Sequence, residues 1–276
     1  MSAKFLKIEA AGICFRVRIE RPRTYLYLKR RFKNFLSKRK PDFTINFIKP
    51  DKDLKISREL FEELANNPQS LILIKSEEKY FFSAKSEPSK TIGFIDRNRN
   101  ECLLYDLFAR WPGSFFTDFI LFCFYLFFGY RNSFMLHACG LSQNSEGYIF
   151  CGPSGSGKST VARMSKDSQL LSDERLTISK NGEGFYVYGM PWGKAQNNYA
   201  KLKGIFFLNR GKKIAFKRLK PSLAASRIIH DASLFLDTSI NANILNLVSR
   251  VVDLVPCYEM HFSLESPIWE KMPKLN

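Results

Sequence analysis

Residues 152–160 combine glycines, hydroxyl side chains and one lysine in an order that predicts phosphate binding. The segment reads Gly-Pro-Ser-Gly-Ser-Gly-Lys-Ser-Thr, follows the apolar run 147–151, and precedes a helical pattern at 161–164. In this strand, loop and helix setting, glycines let backbone N–H groups turn toward phosphate oxygens, and the start of the helix adds a positive dipole end. We therefore predict a P-loop that binds a nucleoside triphosphate through Gly152, Pro153, Ser154, Gly155, Ser156, Gly157, Lys158, Ser159 and Thr160.

Two side chains of this predicted P-loop have distinct expected tasks. Lys158 is expected to reach the β- and γ-phosphates, and the Ser159 hydroxyl is expected to ligate Mg²⁺. A P-loop by itself indicates only that a nucleotide binds, so the position of an acidic residue is more informative. In most P-loop NTPases a later strand ends in an aspartate for Mg²⁺, but the apolar run 204–208 is followed here by Asn209 and Arg210.

The nearest acids after an apolar step are Asp173 and Glu174, within the segment Leu-Leu-Ser-Asp-Glu-Arg-Leu at 170–176. Asp173 lies fifteen residues after Lys158, which leaves room for one short helix and a return strand beside the P-loop strand. A carboxylate at that place would lie close to the γ-phosphate. We therefore predict that Asp173 and Glu174 act as a base or as Mg²⁺ ligands together with Ser159.

One of the three histidines, His137, belongs to the apolar run 134–141, which predicts a strand upstream of the P-loop. A lone histidine on such a strand is usually a core or capping residue. Its position before the P-loop and the acidic segment makes it a further candidate for the site.

The elements predicted around these residues fall into two groups. Apolar and charged residues alternate from Phe15 to Glu20, which predicts a half-buried strand, and short apolar runs separated by turn-forming residues predict more strands at 45–48, 71–74, 80–82 and 91–95. A capped helix is predicted at 57–64, a turn at 111–113, and a hydrophobic helix from about Ser114 to Gly129. We predict an α/β protein with a small β-rich α+β domain at 1–112 and a P-loop catalytic domain at 113–276.

Charge and composition limit the classes of partner and of environment. The net charge is +17, and residues 21–40 hold nine Lys or Arg and no acid, with aromatic residues between them. This segment could bind an acidic partner or RNA, or it could form a solvated basic helix face beside a core stripe. Six cysteines without a C-x-x-C pair and the absence of a signal-peptide pattern predict a cytoplasmic protein. The apolar run 119–128 is shorter than the roughly 20 residues that span a bilayer, so we expect no membrane insertion.

Three of these features, taken in order, resemble the catalytic domain of HPr kinase/phosphorylases: His137 fifteen residues before Gly152, the P-loop, and the Leu-Leu-Ser-Asp-Glu-Arg-Leu segment. The chain is still more similar to the smaller HPr kinase-like proteins of peptide-modifying gene clusters, including kinases of lasso-peptide precursors. The segments 188–193 and 201–208 share in this resemblance, which covers about residue 115 to the C-terminus and, more faintly, the N-terminal domain.

The resemblance implies a P-loop kinase domain of the HPr kinase and PEP carboxykinase type that uses ATP and Mg²⁺. By position, Asp173 would be the base that takes the proton from a serine hydroxyl, and His137 would lie beside it. Members of the family often form oligomers, so a homo-oligomer is a further expectation. Candidates for stabilising charge on the transferred phosphoryl group, besides Lys158, are Arg175, Lys194, Lys201, Arg210 and Arg218, and Asn197 and Asn198 could meet the acceptor.

Two departures from the family pattern bear on activity. The second acid of the acidic segment is Glu174 instead of an aspartate, and no counterpart exists of the later loops associated with phosphorylase activity and carrier recognition. We therefore expect a phosphotransferase that acts on Ser or Thr of a peptide or protein, without phosphorylase activity and with an acceptor other than HPr. A kinase of a small-molecule hydroxyl, and a nucleotide-gated binding module without catalysis, remain as alternatives.

Overall fold

The computed structural model describes residues 3–48, 57–66, 71–77, 79–86, 89–106, 114–165, 167–182, 184–232, 237–264 and 267–275. This part of the chain is mixed α/β, with two sheets and six α-helices. The chain divides into two units, Met1–Leu126 and Phe127–Asn276. The turn predicted at 111–113 and the domain boundary predicted after residue 112 lie outside the described residues.

The first unit contains one seven-stranded sheet with the order β1-β2-β3-β7-β6-β5-β4. Its strands are β1 (Lys4–Ala10), β2 (Ile13–Ile19), β3 (Phe43–Ile48), β4 (Leu71–Ser76), β5 (Lys79–Ser86), β6 (Ser89–Asp96) and β7 (Glu101–Asp106). The helices are α1 (Pro22–Arg31), α2 (Arg58–Asn66) and α3 (Ser114–Gly129), and the division between the units falls within α3. The predicted strand at Phe15, the helix at 57–64 and the hydrophobic helix at 114–129 are thereby confirmed.

Helix α1 occupies the first half of the basic segment 21–40. It begins with Pro22, whose fixed φ suits the first helical position, and its last turn carries Lys29, Arg30 and Arg31, which favour the negative end of the helix dipole. Leu28 is fully buried, whereas Lys29 and Arg30 are exposed. The segment therefore has a solvated basic helix face beside a core stripe, and a docking role for it stays a prediction.

The second unit contains a nine-stranded sheet and three helices. The strands are β8 (Ser133–Leu136), β9 (Cys139–Gln143), β10 (Glu146–Cys151), β11 (Gln169–Ser172), β12 (Leu176–Asn181), β13 (Gly184–Gly189), β14 (Tyr199–Arg210), β15 (Ala215–Arg218) and β16 (Cys257–Phe262). The helices are α4 (Lys158–Met164), α5 (Pro221–Asp231) and α6 (Thr238–Leu254). One path through the sheet runs β11-β9-β10-β14-β13-β12-β8, and β16 joins β14 to β15.

The long strand β14 organises this sheet. It pairs in parallel with β10 on one side, and on the other side with β13 along its first part and with β16 along its last part. Because the carboxyl ends of parallel strands meet at one edge, Cys151, Arg210 and Phe262 lie at the same edge of the sheet. The buried core beneath includes Phe150, Phe206 and Met260.

Two predictions about the surroundings of the P-loop strand were wrong. The run 134–141 is not one strand, because Leu136 on β8 pairs with Leu176 whereas Cys139 on β9 pairs with Phe150. The chain changes strand partner at His137. The return strand β11 pairs with β9 and so lies one strand away from β10, since β9 occupies the place beside β10.

The apolar run 119–128 belongs to α3, in which Phe119, Ile120 and Phe124 are buried. Within the described residues, no helix has the length and apolar character needed to cross a membrane. All six cysteines are free and buried.

Candidate functional site

The P-loop connects β10 to α4, as its sequence predicted, and three of its glycines have positive φ. The φ angles are 149° at Gly152, 77° at Gly155 and 105° at Gly157. These values lie in the region that L side chains rarely adopt. At Gly152 and Gly157 a Cβ atom would also collide with neighbours, the Ser156 side chain and the Phe262 ring respectively. The loop path therefore requires glycine at these positions.

Lys158 lies inside this loop. Its Nζ donates hydrogen bonds to the carbonyl oxygens of Gly152 at 2.5 Å and Pro153 at 3.2 Å, and the residue is only 8% exposed. A buried ammonium group needs such acceptors, and backbone carbonyls are weaker partners than anionic oxygens. The ammonium is thus held where a phosphate could replace the carbonyls as its partner.

The Ser156 hydroxyl is a second polar group of the loop. Its Oγ is buried and makes no hydrogen bond within the part of the chain that the structure describes. Ser159, by contrast, is exposed on the first turn of α4, and Thr160 is partly exposed. The loop therefore offers one buried hydroxyl and one accessible hydroxyl beside Lys158.

A cavity of about 660 Å³ opens next to the P-loop. Arg210 of β14 lines it and donates a hydrogen bond from Nη2 to the Gly155 carbonyl at 3.1 Å. The other lining residues come from the loop itself, from the chain after β14, and from the end of β16 and the chain after it, and they include Lys212, Phe262 and Leu264. Its size is within the range of small-molecule sites, and it combines cationic and apolar walls. Among the basic residues considered from the sequence, Arg210 is therefore beside the loop.

The acidic segment forms a turn after β11 that a second loop holds in place. Asp173 Oδ1 accepts a hydrogen bond from the Lys194 backbone N–H at 2.7 Å, and the Asp173 N–H donates to the Lys194 carbonyl at 3.2 Å. Ser172 pairs with Ala195, and its Oγ accepts from the backbone N–H groups of Glu174 and Arg175 at 3.3 and 3.2 Å. The carboxylate is thus fixed by backbone contacts on both sides of the turn.

Gly193 is a necessary part of this contact. It has a φ of 62°, and a Cβ atom there would overlap Asp173 Oδ1 and also crowd the Glu174 side chain. The close approach of the two loops therefore depends on the absence of a side chain at this position.

His137 lies between β8 and β9, partly buried, and its backbone N–H donates to the Asp231 carbonyl at 3.1 Å. Burial lowers the pKa of His137 below its usual value, and the positive charges of Lys158 and Arg175 lower it further, while Glu174 and Asp231 act in the opposite direction. The structure therefore brings His137, Lys158 and Glu174 into one electrostatic neighbourhood.

Asp173 belongs to the same neighbourhood. Burial raises the pKa of the Cys139 thiol to about 12, the Asp173 charge contributes in the same direction, and the Lys158 charge opposes it. Asp173 and Lys158 must both be near Cys139 for their charges to act on it. The acidic turn and the P-loop therefore both lie near Cys139, although β9 separates β11 from β10 in the sheet.

Two further charged residues belong to the same electrostatic neighbourhood. Arg175 has a buried Nε without a hydrogen-bond partner among the described residues, and its charge acts on His137. Sequence reasoning missed Asp231, whose charge helps to raise the pKa of Cys151, the last residue before the P-loop, and also acts on His137. Asp231 ends α5, far along the chain and without a local motif, so its position is shown only by tertiary contacts, the pairing of Leu136 with Ala232 and the hydrogen bond from the His137 N–H.

The remaining sequence candidates lie elsewhere or have no visible contact with these groups. Arg218 donates to the Tyr258 hydroxyl at 3.5 Å and lies over its ring, on the β15–β16 pair. Asn197 and Asn198 are exposed in the loop before β14. Among the described residues, no group of three or more His, Cys, Asp or Glu is arranged to hold a metal ion.

Comparison with known proteins adds no assignment. The chain matches no family model, and no curated protein matches it. The functional conclusion therefore depends on the chemistry of the P-loop and of the charged groups around it.

Proposed function

We propose that this protein is an ATP- and Mg²⁺-dependent kinase that transfers the γ-phosphoryl group to a Ser or Thr hydroxyl of a peptide or protein, in the manner of the HPr kinase-like proteins that it resembles. The observation that carries the proposal is geometric: the buried Lys158 ammonium of the P-loop has only backbone carbonyls as acceptors, and a second loop holds the Asp173 carboxylate through the Lys194 N–H. A P-loop lysine and a carboxylate that is held by a second loop are the two groups that phosphoryl transfer to a hydroxyl needs from the protein.

The P-loop fits a triphosphate in three respects. Glycines with positive φ curve the backbone so that side chains do not block its approach to an anion. Lys158 is a buried cation whose present acceptors are only backbone carbonyls. The buried Ser156 hydroxyl has a hydrogen bond to give, with no acceptor among the described residues. Each of these features favours phosphate oxygens as the natural partners of the loop.

The carboxylate fits the role of a base. Asp173 Oδ1 is engaged by the Lys194 N–H, and Oδ2 makes no hydrogen bond within the described part of the chain. In the reaction the acceptor oxygen attacks the γ-phosphorus, and the bond from that phosphorus to the bridging oxygen breaks. The hydroxyl proton passes to Asp173, and ADP leaves with the electron pair of the broken bond.

The Ser159 hydroxyl, accessible beside Lys158, would hold Mg²⁺ together with phosphate oxygens, and Asp173 or Glu174 would complete its ligands. When bound, the ion offsets negative charge on the phosphoryl oxygens. Arg175 would act in the same direction, because its guanidinium charge already acts on His137 at the site and its Nε is free to donate.

The proposal is tested with the variant Asp173→Asn. We expect phosphoryl transfer to fall by about 10²- to 10⁴-fold, the usual contribution of a general base, while nucleotide affinity measured without Mg²⁺ stays unchanged. Peptides and metabolites of a host extract are incubated with ATP, Mg²⁺ and either protein, and phosphorylated products are identified by mass spectrometry. Nucleotide affinity is measured separately with a fluorescent ATP analogue.

The matched control is Asp167→Asn, because Asp167 is exposed and precedes β11. It should leave transfer intact. Unchanged transfer in Asp173→Asn would contradict the assignment of the base. ATP binding without any phosphorylated product in the wild-type protein would instead favour a nucleotide-gated binding module.

A further inference from the structure

Three tyrosines form a cluster on β13 and β14 that we call the tyrosine ladder: Tyr186, Tyr188 and Tyr199. The rings of Tyr188 and Tyr199 are stacked, with centroids 5.2 Å apart, and Tyr186 meets Tyr199 edge to face at 6.1 Å. Tyr199 is 64% exposed, while Tyr186 and Tyr188 are partly exposed. Single hydrophobic residues on a protein surface need no explanation, but a contiguous group of three exposed aromatic rings is a candidate interaction surface.

Strand register explains how the rings come together. Tyr188 pairs with Tyr199, and Tyr186 pairs with Lys201, so these four side chains share one face of the sheet. Their neighbours along the strands point the other way, and Val187 and Ala200 are buried in the core. The core therefore packs against the opposite face of β13 and β14, and the rings of the tyrosine ladder remain accessible to a partner.

The tyrosine ladder is joined directly to the candidate site. The loop 190–198 connects β13 to β14, and its ends are tied by a hydrogen bond from the Gly189 N–H to the Asn198 carbonyl at 3.0 Å. Its middle binds the acidic turn, because Ala195 pairs with Ser172 next to Asp173. Ala195 and Tyr199 are four positions apart, a span of at most about 14 Å. An extended peptide of about five residues can cover that distance.

Charge on this surface favours an acidic partner. Lys194 in the loop and Lys201 beside the ladder are both exposed, and neither forms an ion pair within the described residues. The nearby carboxylate of Glu146 is already paired with Lys203 at 3.1 Å and accepts from the Tyr148 hydroxyl at 2.9 Å. Lys201 also acts on Glu146, which lies opposite it on β10, but the Glu146 carboxylate has Lys203 as its ion-pair partner. The exposed ammonium groups of Lys194 and Lys201 therefore complement carboxylates of a bound chain.

We propose that the tyrosine ladder, with Lys194 and Lys201, is the docking surface for the acceptor, an acidic peptide segment with an aromatic residue placed about four or five positions from its reactive hydroxyl. This inference rests on the proposed kinase function. Tyrosine is a frequent centre of binding energy in protein interfaces, because it offers large contact area at low entropic cost. Single-stranded RNA also stacks on aromatic rings, but the direct link to Asp173 favours the molecule that carries the hydroxyl.

The test uses fluorescence anisotropy with a labelled peptide of about ten residues that contains glutamates, one tyrosine and one serine. The full-length protein is titrated in the wild-type form and as Tyr199→Ala and Lys201→Glu. We expect each variant to bind at least about tenfold more weakly, because an interface tyrosine and a complementary charge are lost. Because both side chains are exposed, both variants should stay folded at the temperature of the titration, which thermal unfolding checks. Tyr199→Ala should unfold at a slightly lower temperature than the wild type, because its ring contacts with Tyr186 and Tyr188 are lost.

The controls are Leu254→Ala and Arg250→Glu, which change an exposed apolar residue and an exposed cation on α6. They should bind the peptide as the wild type does. The proposal is overturned if the acidic peptide does not bind, if Tyr199→Ala and Lys201→Glu bind it normally, or if a lysine-containing version binds equally well. It is also overturned if oligouridylate, and not the peptide, depends on Tyr199.

These experiments distinguish a failure of the docking proposal from a failure of the proposed kinase function. Peptide binding is measured without ATP, so its outcome does not depend on phosphoryl transfer. Normal, ladder-dependent binding without phosphoryl transfer would leave the docking surface standing and overturn the kinase assignment. Phosphoryl transfer to peptides that does not change in Tyr199→Ala and Lys201→Glu would support the kinase assignment and overturn the docking surface.

Discussion

His137 lies where β8 ends and is surrounded by charges of both signs. Burial is the largest cause of its lowered pKa, Lys158 and Arg175 add to it, and Glu174 and Asp231 only partly oppose it. The ring is therefore neutral near neutral pH, since the ordinary histidine pKa is about 6.5. A neutral imidazole adds no further positive charge beside the buried ammonium of Lys158.

This lowered pKa has a consequence for stability. Below about pH 6.5 the unfolded chain binds a proton at His137, whereas His137 of the folded protein stays neutral until a lower pH. The free energy of unfolding therefore decreases as the pH falls below about 6.5. We expect His137→Gln to lose less stability than the wild type between about pH 7.5 and about pH 5.5. Urea unfolding at the two pH values measures the difference.

The control for this prediction is His230→Gln, because His230 is exposed at the end of α5 and glutamine keeps a donor for the Asp231 carboxylate, which the His230 ring contacts at 3.0 Å. It should keep the wild-type dependence on pH. An equal loss of stability in His137→Gln and in the wild type would show that burial and the neighbouring cations do not act on His137 as the structure indicates.

At the scale of the elements, the loop 190–198 holds the acidic turn of the candidate site. It holds Asp173 through the Lys194 backbone at one point and continues into the tyrosine ladder at its ends. Neither contact comes from a helix or strand that would be rigid by itself. The position of the base therefore depends on how closely this loop approaches the turn after β11, and Gly193 sets that approach.

Substitution of Gly193 tests this dependence. Gly193→Ala and Gly182→Ala both place alanine at positive φ, at 62° and 58° respectively, but only the former meets Asp173, whereas Gly182 has no atom within 4 Å of its would-be Cβ. Each should cost about 1–2 kcal/mol of stability. We expect Gly193→Ala alone to reduce phosphoryl transfer, by at least about tenfold, because the base is displaced.

Thermal unfolding and peptide phosphorylation assays measure the two effects separately. Comparable turnover in Gly193→Ala and Gly182→Ala would argue against a role for the loop in positioning Asp173. Loss of turnover in both would indicate that backbone strain, and not the contact with the carboxylate, limits the reaction.

At the scale of the whole molecule, the net charge of +17 dominates. The basic segment 21–40 concentrates it, and α1 presents Arg23, Lys29 and Arg30 to solvent. A field of this sign attracts polyanions without regard to their sequence. We therefore expect affinity for RNA that falls steeply with salt and is separate from the nucleotide site.

Neutralising α1 tests this expectation. A triple variant with Gln at 23, 29 and 30 should reduce the slope of the logarithm of oligouridylate affinity against the logarithm of salt by about 2, since each lost contact removes about 0.7. Anisotropy at several salt concentrations measures the slope, and ATP-analogue binding should not change. A control that neutralises the exposed residues Arg250 and Lys271 should keep the wild-type slope. An unchanged slope in the α1 variant would place RNA binding elsewhere or exclude it.

Local patterns predicted much of the fold. Alternation at 15–20 indicated β2, the apolar run 114–129 indicated α3 with the same bounds, and the run 147–151 indicated β10. Strands β1 and β7 were not predicted. In β1, Leu6, Ile8 and Ala10 do alternate with Lys7 and Glu9, and its pairing with β2 confirms the strand. In β7 the apolar residues Cys102, Leu103 and Leu104 are consecutive, and only the pairing with β3 and β6 identifies the strand. The run 134–141 looked continuous because both of its parts are apolar, and only the different partners of β8 and β9 separate them.

The sequence by itself predicted the P-loop, since its glycines, its lysine and its flanking strand and helix are all encoded within residues 147–164. It also indicated Asp173 and His137 as candidates. Only the tertiary structure decided that these groups share one neighbourhood with Lys158, that Asp231 joins them, and that the tyrosine ladder borders the loop that holds the base. The physical reason is that each of these contacts depends on strand pairing between distant segments, which backbone hydrogen bonds establish without leaving a local signal in the residues involved.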